Sequence, residues 1–204
     1  MNPKDAFKSL AFTSLLITCS AIVLHITLKL RYRGWTPSYT YSQFVNPYPE
    51  VKENYQDFGL DDKKTMQLLA ETYPAKGWEY TSILQFQETP RSGEYVNVSE
   101  LGFRRNSRYS PSDLDAHNLK LLSPQNNSII FLGGSTAFGY GLPDSLTIPA
   151  QLEKNLRNTK VFNFGRGYYY SDTENKLLTR LLKYGARPKT VIFLDGINSP
   201  LYLN

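Results

Sequence analysis

The sequence predicts an α/β protein built on a parallel sheet, because its last third alternates short apolar runs with helix-forming stretches. Each apolar run is continuous rather than alternating, which is typical of strands that are covered on both faces. Strand–helix–strand–helix–strand order predicts parallel pairing through crossover connections. The three runs are residues 129–132, 161–164 and 190–194.

The two connecting helices carry their own boundary signals. The first, TIPAQLEKNLRN, has Thr147 as its N-cap and Pro149 in its first turn. The second, SDTENKLLTRLLKYG, places Ser171 and Glu174 at the spacing of a capping box and ends at Gly185. Its apolar side consists of Leu177, Leu178, Leu181 and Leu182.

Composition excludes several classes of protein. The chain has 204 residues, of which 41% are hydrophobic and 20% charged, so a folded core is expected and wholesale disorder is not. The net charge of +5 is modest and no nucleic-acid motif is present, so nucleic acid is not an expected partner. One cysteine and two widely separated histidines, His25 and His117, do not make a zinc site. We expect neither a metal nor a cofactor.

The amino-terminal part predicts a single-pass membrane anchor. Residues 9–28 contain no Lys, Arg, Asp or Glu, and about twenty such residues span the hydrocarbon core of a bilayer. Residues 1–8 form a short tail before it. Positive residues flank both ends and leave the orientation open: Lys4, Lys8, Lys29, Arg31 and Arg33.

Three other interpretations of residues 9–28 remain open. A buried core helix would show the same apolar character. A cleaved signal peptide needs a shorter apolar run and small residues at the cleavage site. A lipoprotein signal would use Cys19, but Thr18 fits poorly before that cysteine and the apolar run continues beyond it.

Residues 29–123 are predicted to be a membrane-proximal region rather than a separate domain. Turn-forming stretches rich in Pro, Gly and Asn interrupt it. A short helix is predicted over residues 63–72, and a strand followed by a turn over residues 93–105. The α/β part begins at residue 124.

Candidate chemistry collects where the predicted strands end. Ser135 follows the first strand, a glycine-containing loop over 163–171 follows the second, and Asn198 follows the third. The carboxyl ends of parallel strands meet at one edge of a sheet, where ligands bind. An acyl-transfer site needs a hydroxyl that attacks a carbonyl and N–H groups that stabilise the developing oxyanion. Asp144 and Asp195 are interpreted as turn or cap residues.

Three sequence blocks resemble the SGNH hydrolases, also called the GDSL esterase/lipase family. The Gly-Asp-Ser-Leu block appears as Gly133-Gly134-Ser135-Thr136, and the Gly-x-Asn-Asp block as Gly196-Ile197-Asn198-Ser199. "VNVSELGFRR" resembles the Asn-x-x-Gly-Phe-Arg lead-in of membrane-anchored relatives. The resemblance covers roughly residues 95–204.

The second block of the family, a glycine in the loop after the second strand, has three candidates. Gly167 fits best if one residue is deleted. Without a gap Tyr168 occupies the position, and Gly165 is a further candidate.

The resemblance implies a flavodoxin-like three-layer fold with Ser135 as nucleophile. The N–H of Ser135, the N–H of Gly167 and the side chain of Asn198 would form the oxyanion hole. The expected protein is a membrane-anchored ester hydrolase or acyltransferase, acting outside the cytoplasm on an acylated small molecule or glycan.

The family's Asp-x-x-His block, which supplies the base, is absent. "DLDAH" has the wrong spacing before His117 and precedes the first strand. With about three strands present, the chain is expected to hold only the amino-terminal half of the domain and to be incomplete as an enzyme. The alternative is a non-catalytic binding or scaffold protein, or an inactive fragment that retains the fold.

Each site residue also has a structural interpretation. Ser135 could cap a helix, and Asn198 could hold its own turn. A phosphate loop would need Gly-Lys-Ser/Thr or Gly-x-Gly-x-x-Gly after the strand, and neither is present. Tyr168, Tyr169 and Tyr170 could line a pocket or pack against the sheet.

Overall fold

The computed structural model describes residues 3–31, 37–74, 76–106, 122–196 and 198. The helices are α1 (Pro3–Arg31), α2 (Pro37–Phe44), α3 (Pro49–Asp57), α4 (Asp62–Thr72), α5 (Ser135–Phe138), α6 (Ile148–Asn155) and α7 (Ser171–Lys183). The strands are β1 (Trp78–Thr81), β2 (Gln85–Glu88), β3 (Arg91–Ser92), β4 (Asn97–Val98), β5 (Ser128–Gly133), β6 (Lys160–Asn163) and β7 (Thr190–Leu194). Two 3₁₀ turns lie at Pro124–Asn126 and Asp144–Leu146.

The three predicted strands form one parallel sheet, which confirms the α/β class. The order is β6–β5–β7, with Ile130 opposite Phe162 on one side and Val191 on the other. All six residues of β5 are buried, as a continuous apolar run predicts for a central parallel strand.

The two connecting helices begin where the sequence predicted, but only one has the predicted cap. The Thr147 side chain accepts a hydrogen bond from the Ala150 N–H at 3.3 Å, so the N-cap of α6 is confirmed. The predicted capping box of α7, with Ser171 and Glu174, is wrong. Thr173 supplies the cap instead, because its hydroxyl contacts both the N–H and the carbonyl of Tyr170. Glu174 turns inward and is buried.

The α7 helix covers one face of the sheet. Leu177 and Leu181 belong to the same buried cluster as Ile130, Leu132 and Phe162. Leu178 packs at the margin of this cluster. Leu182 is exposed, so the predicted apolar face is narrower than four leucines.

The region before the sheet packs against it. The predicted helix over 63–72 is α4, which packs with α2 around Leu69, Tyr41 and Val45. Strands β1 and β2 pair in antiparallel fashion. Arg104 bridges β4 to the end of β6, where its N–H donates to the Asn163 carbonyl at 2.8 Å.

The α1 helix contains the segment expected to be a membrane anchor. Its described side chains, residues 12–27, are all exposed, so the buried core helix is excluded. Within the described part of the chain, no helix combines the length and the apolar character that crossing a membrane requires. The anchor at residues 9–28 is therefore not supported by the described residues.

Candidate functional site

Ser135 lies directly after the central strand, at the first position of α5. Gly133 makes this sharp strand-to-helix turn possible. A Cβ atom at Gly133 would lie 2.6 Å from the Ala137 Cβ and 2.7 Å from the Leu194 carbonyl oxygen. Gly134 is the N-cap residue and no side chain caps the helix. Ser135 is exposed. Its interpretation as a helix cap is wrong, because Gly134 holds the N-cap position and Ser135 begins the helix.

Asn198 lies beside the serine turn. A Cβ atom placed on Gly134 would be 2.8 Å from Asn198 Nδ2 and 3.3 Å from the Tyr169 carbonyl oxygen. Asn198 Nδ2 donates to that carbonyl at 2.9 Å. An amide nitrogen has two hydrogens, so this bond leaves one for another acceptor. The structure thus brings the ends of all three strands together.

The structure of the loop after β6 distinguishes Gly165, Gly167 and Tyr168, the three candidates for the family's glycine position. A Cβ at Gly165 would lie 2.5 Å from the Phe138 backbone nitrogen, so only glycine lets the loop approach α5 this closely. A Cβ at Gly167 would lie 2.8 Å from the Tyr140 hydroxyl. Tyr168 has a φ of 62°, a left-handed conformation that costs a residue with a side chain on the order of 1 kcal/mol.

A buried arginine that sequence reasoning did not assign to the site holds the far end of α5. Arg104 is fully buried and donates to the Phe138 carbonyl at 2.9 Å and the Gly139 carbonyl at 2.6 Å. It also donates to Asp144 at 3.0 Å. Asp144 begins the 3₁₀ turn Asp144–Leu146, which agrees with its interpretation as a turn residue, and its carboxylate is also the buried counter-ion of Arg104. The sequence signal for Arg104 was the Gly-Phe-Arg segment, but the sequence could not indicate that Asp144 is its partner.

The buried carboxylate of Glu88 binds side chains that pack against the loop over 163–171. Glu88 accepts hydrogen bonds from Trp78 Nε1 and from Arg91, each at 2.9 Å, and from the Tyr140 hydroxyl. Burial first, and the charge of Glu88 second, raise the pKa of Tyr140 far above its ordinary value. Tyr140 therefore stays protonated as a donor to Glu88, directly beside Gly167.

The β1–β2 hairpin covers the same loop with aromatic side chains. The Tyr169 hydroxyl donates to the Phe86 carbonyl at 2.7 Å, and the two rings meet edge to face at 5.4 Å. Trp78 meets Tyr168 edge to face, also at 5.4 Å. Tyr169 is buried, whereas Tyr168 and Trp78 are exposed. Of the tyrosines considered as pocket-lining residues, Tyr169 packs in the core and Tyr168 faces solvent.

Two carboxyl groups meet at the same edge of the sheet. Glu174, in the first turn of α7, is 1% exposed and lies beside Asp195, which follows β7. Burial first, and the neighbouring Asp195 second, raise the pKa of Glu174 to about 7. The Ser171 hydroxyl donates to Asp195 at 3.4 Å. The pair can hold a proton at neutral pH.

The described residues contain one histidine, His25 in α1; His117 lies outside them. Within the described ranges, no group of three or more His, Cys, Asp or Glu side chains could hold a metal ion. Two surface cavities, one lined by Gln56 and residues 59–63 and one around Pro143, do not include Ser135 or Asn198.

These observations define an α/β protein with a three-stranded parallel sheet, whose carboxyl edge brings together Ser135 and Asn198. No protein-family model matches the chain, and no curated protein matches its sequence significantly.

Proposed function

We propose that the protein is a serine-dependent ester hydrolase or acyltransferase, with Ser135 as the nucleophile. The observation that carries this proposal is the position of Asn198 Nδ2, 2.8 Å from where a Cβ on Gly134 would lie. An exposed hydroxyl at a glycine turn, with a side-chain amide beside it, is the arrangement that acyl transfer needs.

The chemistry assigned to these groups is nucleophilic substitution at an ester carbonyl. The Ser135 oxygen bonds to the carbonyl carbon while the carbonyl electron pair moves to its oxygen. Asn198 and the backbone N–H groups of Ser135 and Gly167 donate to that oxyanion. A base takes the Ser135 proton as this bond forms. Collapse of the intermediate breaks the bond to the leaving oxygen, which takes a proton from the protonated base and departs as the alcohol. Water or an acceptor hydroxyl then attacks the acyl carbonyl, loses its proton to the base and frees Ser135, which regains its proton.

Each proton transfer in this reaction requires a base near Ser135. His25 is the one histidine among the described residues, and it lies in α1. The described residues therefore provide no imidazole as the base for Ser135. A serine hydroxyl without an adjacent base is a weak nucleophile. We therefore expect residues 1–204 to react slowly at Ser135, and we expect an added base to accelerate the reaction.

The test is covalent labelling of the full chain by a fluorophosphonate, with the modified residue located by mass spectrometry. Labelling at Ser135 should increase when imidazole is added and should be lost in Ser135→Ala. Asn198→Ala should slow the imidazole-dependent labelling by about 10²-fold, as expected for loss of one oxyanion donor. Thr136→Ala, next in the chain and exposed, is the matched control and should label normally.

A second candidate function is non-catalytic binding by a protein that retains this fold. The exposed Ser135 hydroxyl beside the Asn198 amide favours it, because these groups can hold a polar ligand by hydrogen bonds without a base. If Ser135 is not labelled at any imidazole concentration, although the chain unfolds cooperatively, the result favours non-catalytic binding over catalysis.

Membrane attachment through residues 9–28 is a proposal that depends on the uncharged run and on the exposed side chains of residues 12–27. With it come an extracytoplasmic site and an acylated small molecule or glycan as substrate, both from the family resemblance. Expressed in bacteria, the full chain should remain with membranes after a carbonate wash, and deletion of residues 1–33 should release it. A full chain that fractionates as soluble protein would overturn this attachment.

A further inference from the structure

Two exposed aromatic rings lie at the loop after β6, the loop that contacts the turn before Ser135. Tyr168 is 57% exposed and Trp78 is 46% exposed. Tyr168 precedes Tyr169, whose carbonyl oxygen lies 3.3 Å from where a Cβ on Gly134 would be, and Gly134 precedes Ser135. Tyr168 is thus one residue from a contact with the turn that precedes Ser135, and Trp78 reaches the same loop through its contact with the Tyr168 ring.

Both rings are held in place. The Trp78 indole N–H donates to Glu88 at 2.9 Å, which turns the polar atom of the ring inward and leaves its carbon surface outside. Tyr168 meets Trp78 at 82° with ring centroids 5.4 Å apart, so the two rings form a corner. Fixed aromatic rings bind at a low cost in conformational entropy.

The backbone conformation of Tyr168 indicates that its ring has a role other than local stability. A φ of 62° favours glycine, yet the position holds a large and mostly exposed side chain. Strained conformations persist at ligand-binding sites, and the inference runs from the observed outlier to function.

We infer that Trp78 and Tyr168 form a subsite that binds a pyranose ring of the substrate by stacking against its C–H face. The rings stay about half exposed, so a bound group keeps its outer side in water. A sugar ring suits this environment because it has an apolar face and a hydroxyl-bearing rim. An acyl chain gains more in an enclosed apolar site. The inference rests on the proposed function, because it treats Ser135 as the centre that the subsite serves.

The experiment measures sugar binding without requiring catalysis. Trp35 and Trp78 are the two tryptophans of the chain, so Trp35→Phe makes Trp78 the sole tryptophan fluorophore. The full chain in lipid nanodiscs is titrated with methyl pyranosides of glucose, galactose, mannose and N-acetylglucosamine, and separately with decanoate. At least one pyranoside should shift the Trp78 emission saturably.

Variants separate the subsite from a general surface effect. Tyr168→Gly removes one ring at a backbone position that favours glycine, so the fold should persist and affinity should fall about tenfold. Tyr168→Phe should bind as the parent chain does. Tyr184→Ala is the matched control: Tyr184 is 62% exposed and follows the last residue of α7, whereas the loop that carries Tyr168 precedes the first, so this change should not alter binding.

The outcomes also distinguish this inference from the proposed function. Sugar binding that survives in Ser135→Ala supports the subsite whether or not Ser135 can be labelled. Ser135 labelling with no response to any of the four pyranosides overturns the subsite alone. A response to decanoate alone, or equal loss of binding in Tyr184→Ala, also overturns it.

Discussion

The buried carboxyl group of Glu174 makes the stability of this protein depend on pH in an unusual direction. Burial and the adjacent Asp195 raise its pKa from the usual 4.5 to about 7. Between these pH values the folded chain holds a proton that the unfolded chain has lost, so stability decreases as pH rises. The contribution is fully present below pH 4.5 and is lost as pH rises through about 7.

The magnitude follows from the difference in pKa between the two states. At about 1.4 kcal/mol per pKa unit, the difference corresponds to about 3 kcal/mol. Asp195 is exposed, and water screens its part of the interaction. We therefore expect Glu174→Gln, which carries no charge at any pH, to be more stable than the parent chain by about 2 kcal/mol at pH 8. At pH 4 the two chains should be nearly equal.

The assay is thermal unfolding of the full chain in a non-ionic detergent, followed by tryptophan emission from pH 4 to pH 8.5. For a chain of this size, about 2 kcal/mol corresponds to a rise in Tm of roughly 4–8 °C at pH 8. Asp172→Asn is the control, because Asp172 is an exposed carboxylate in the same helical turn and pairs with Lys176. It should leave the pH profile unchanged. A Glu174→Gln chain that is less stable at pH 8, or that keeps the parent profile, would refute the reasoning.

Three further predictions concern the turn and the loop beside Ser135. Arg104→Met leaves Asp144 buried without its counter-ion and should lower the free energy of unfolding by about 3–5 kcal/mol. The exposed control Arg157→Met should change it little. A urea midpoint of Arg104→Met equal to that of the parent would contradict this role. Gly165→Ala places a Cβ 2.5 Å from the Phe138 nitrogen and should displace α5, with imidazole-dependent labelling of Ser135 falling more than thermal stability does. Tyr168→Gly should raise the free energy of unfolding by about 1 kcal/mol because it relieves the positive φ, and a lower Tm would argue that the ring stabilises the fold.

The sequence by itself determined the sheet and the meeting of its strand ends. Continuous apolar runs predicted the three strands to within about one residue of their observed bounds. Burial on both faces explains this for the central strand β5, whereas the edge strand β7 has no fully buried residue, so two-face burial is wrong for β7. The Thr147 cap was readable because a cap involves residues close together in the chain. Ser135 and Asn198 could be placed at one edge because parallel strands end on the same side. The roles of Ser135, Gly167 and Asn198 in catalysis stay predictions.

Tertiary structure decided which polar groups are buried and what they contact. Arg104 and Asp144 lie 40 residues apart, and nothing local indicates that they pair. The spacing of Ser171 and Glu174 predicted a capping box, but the helix takes its cap from Thr173. The end of β7 brings Asp195 beside Glu174 instead. Trp78 reaches Tyr168 because the hairpin folds over the loop after β6. Local patterns determine strands and caps, whereas these contacts depend on chain segments that meet only in the folded protein.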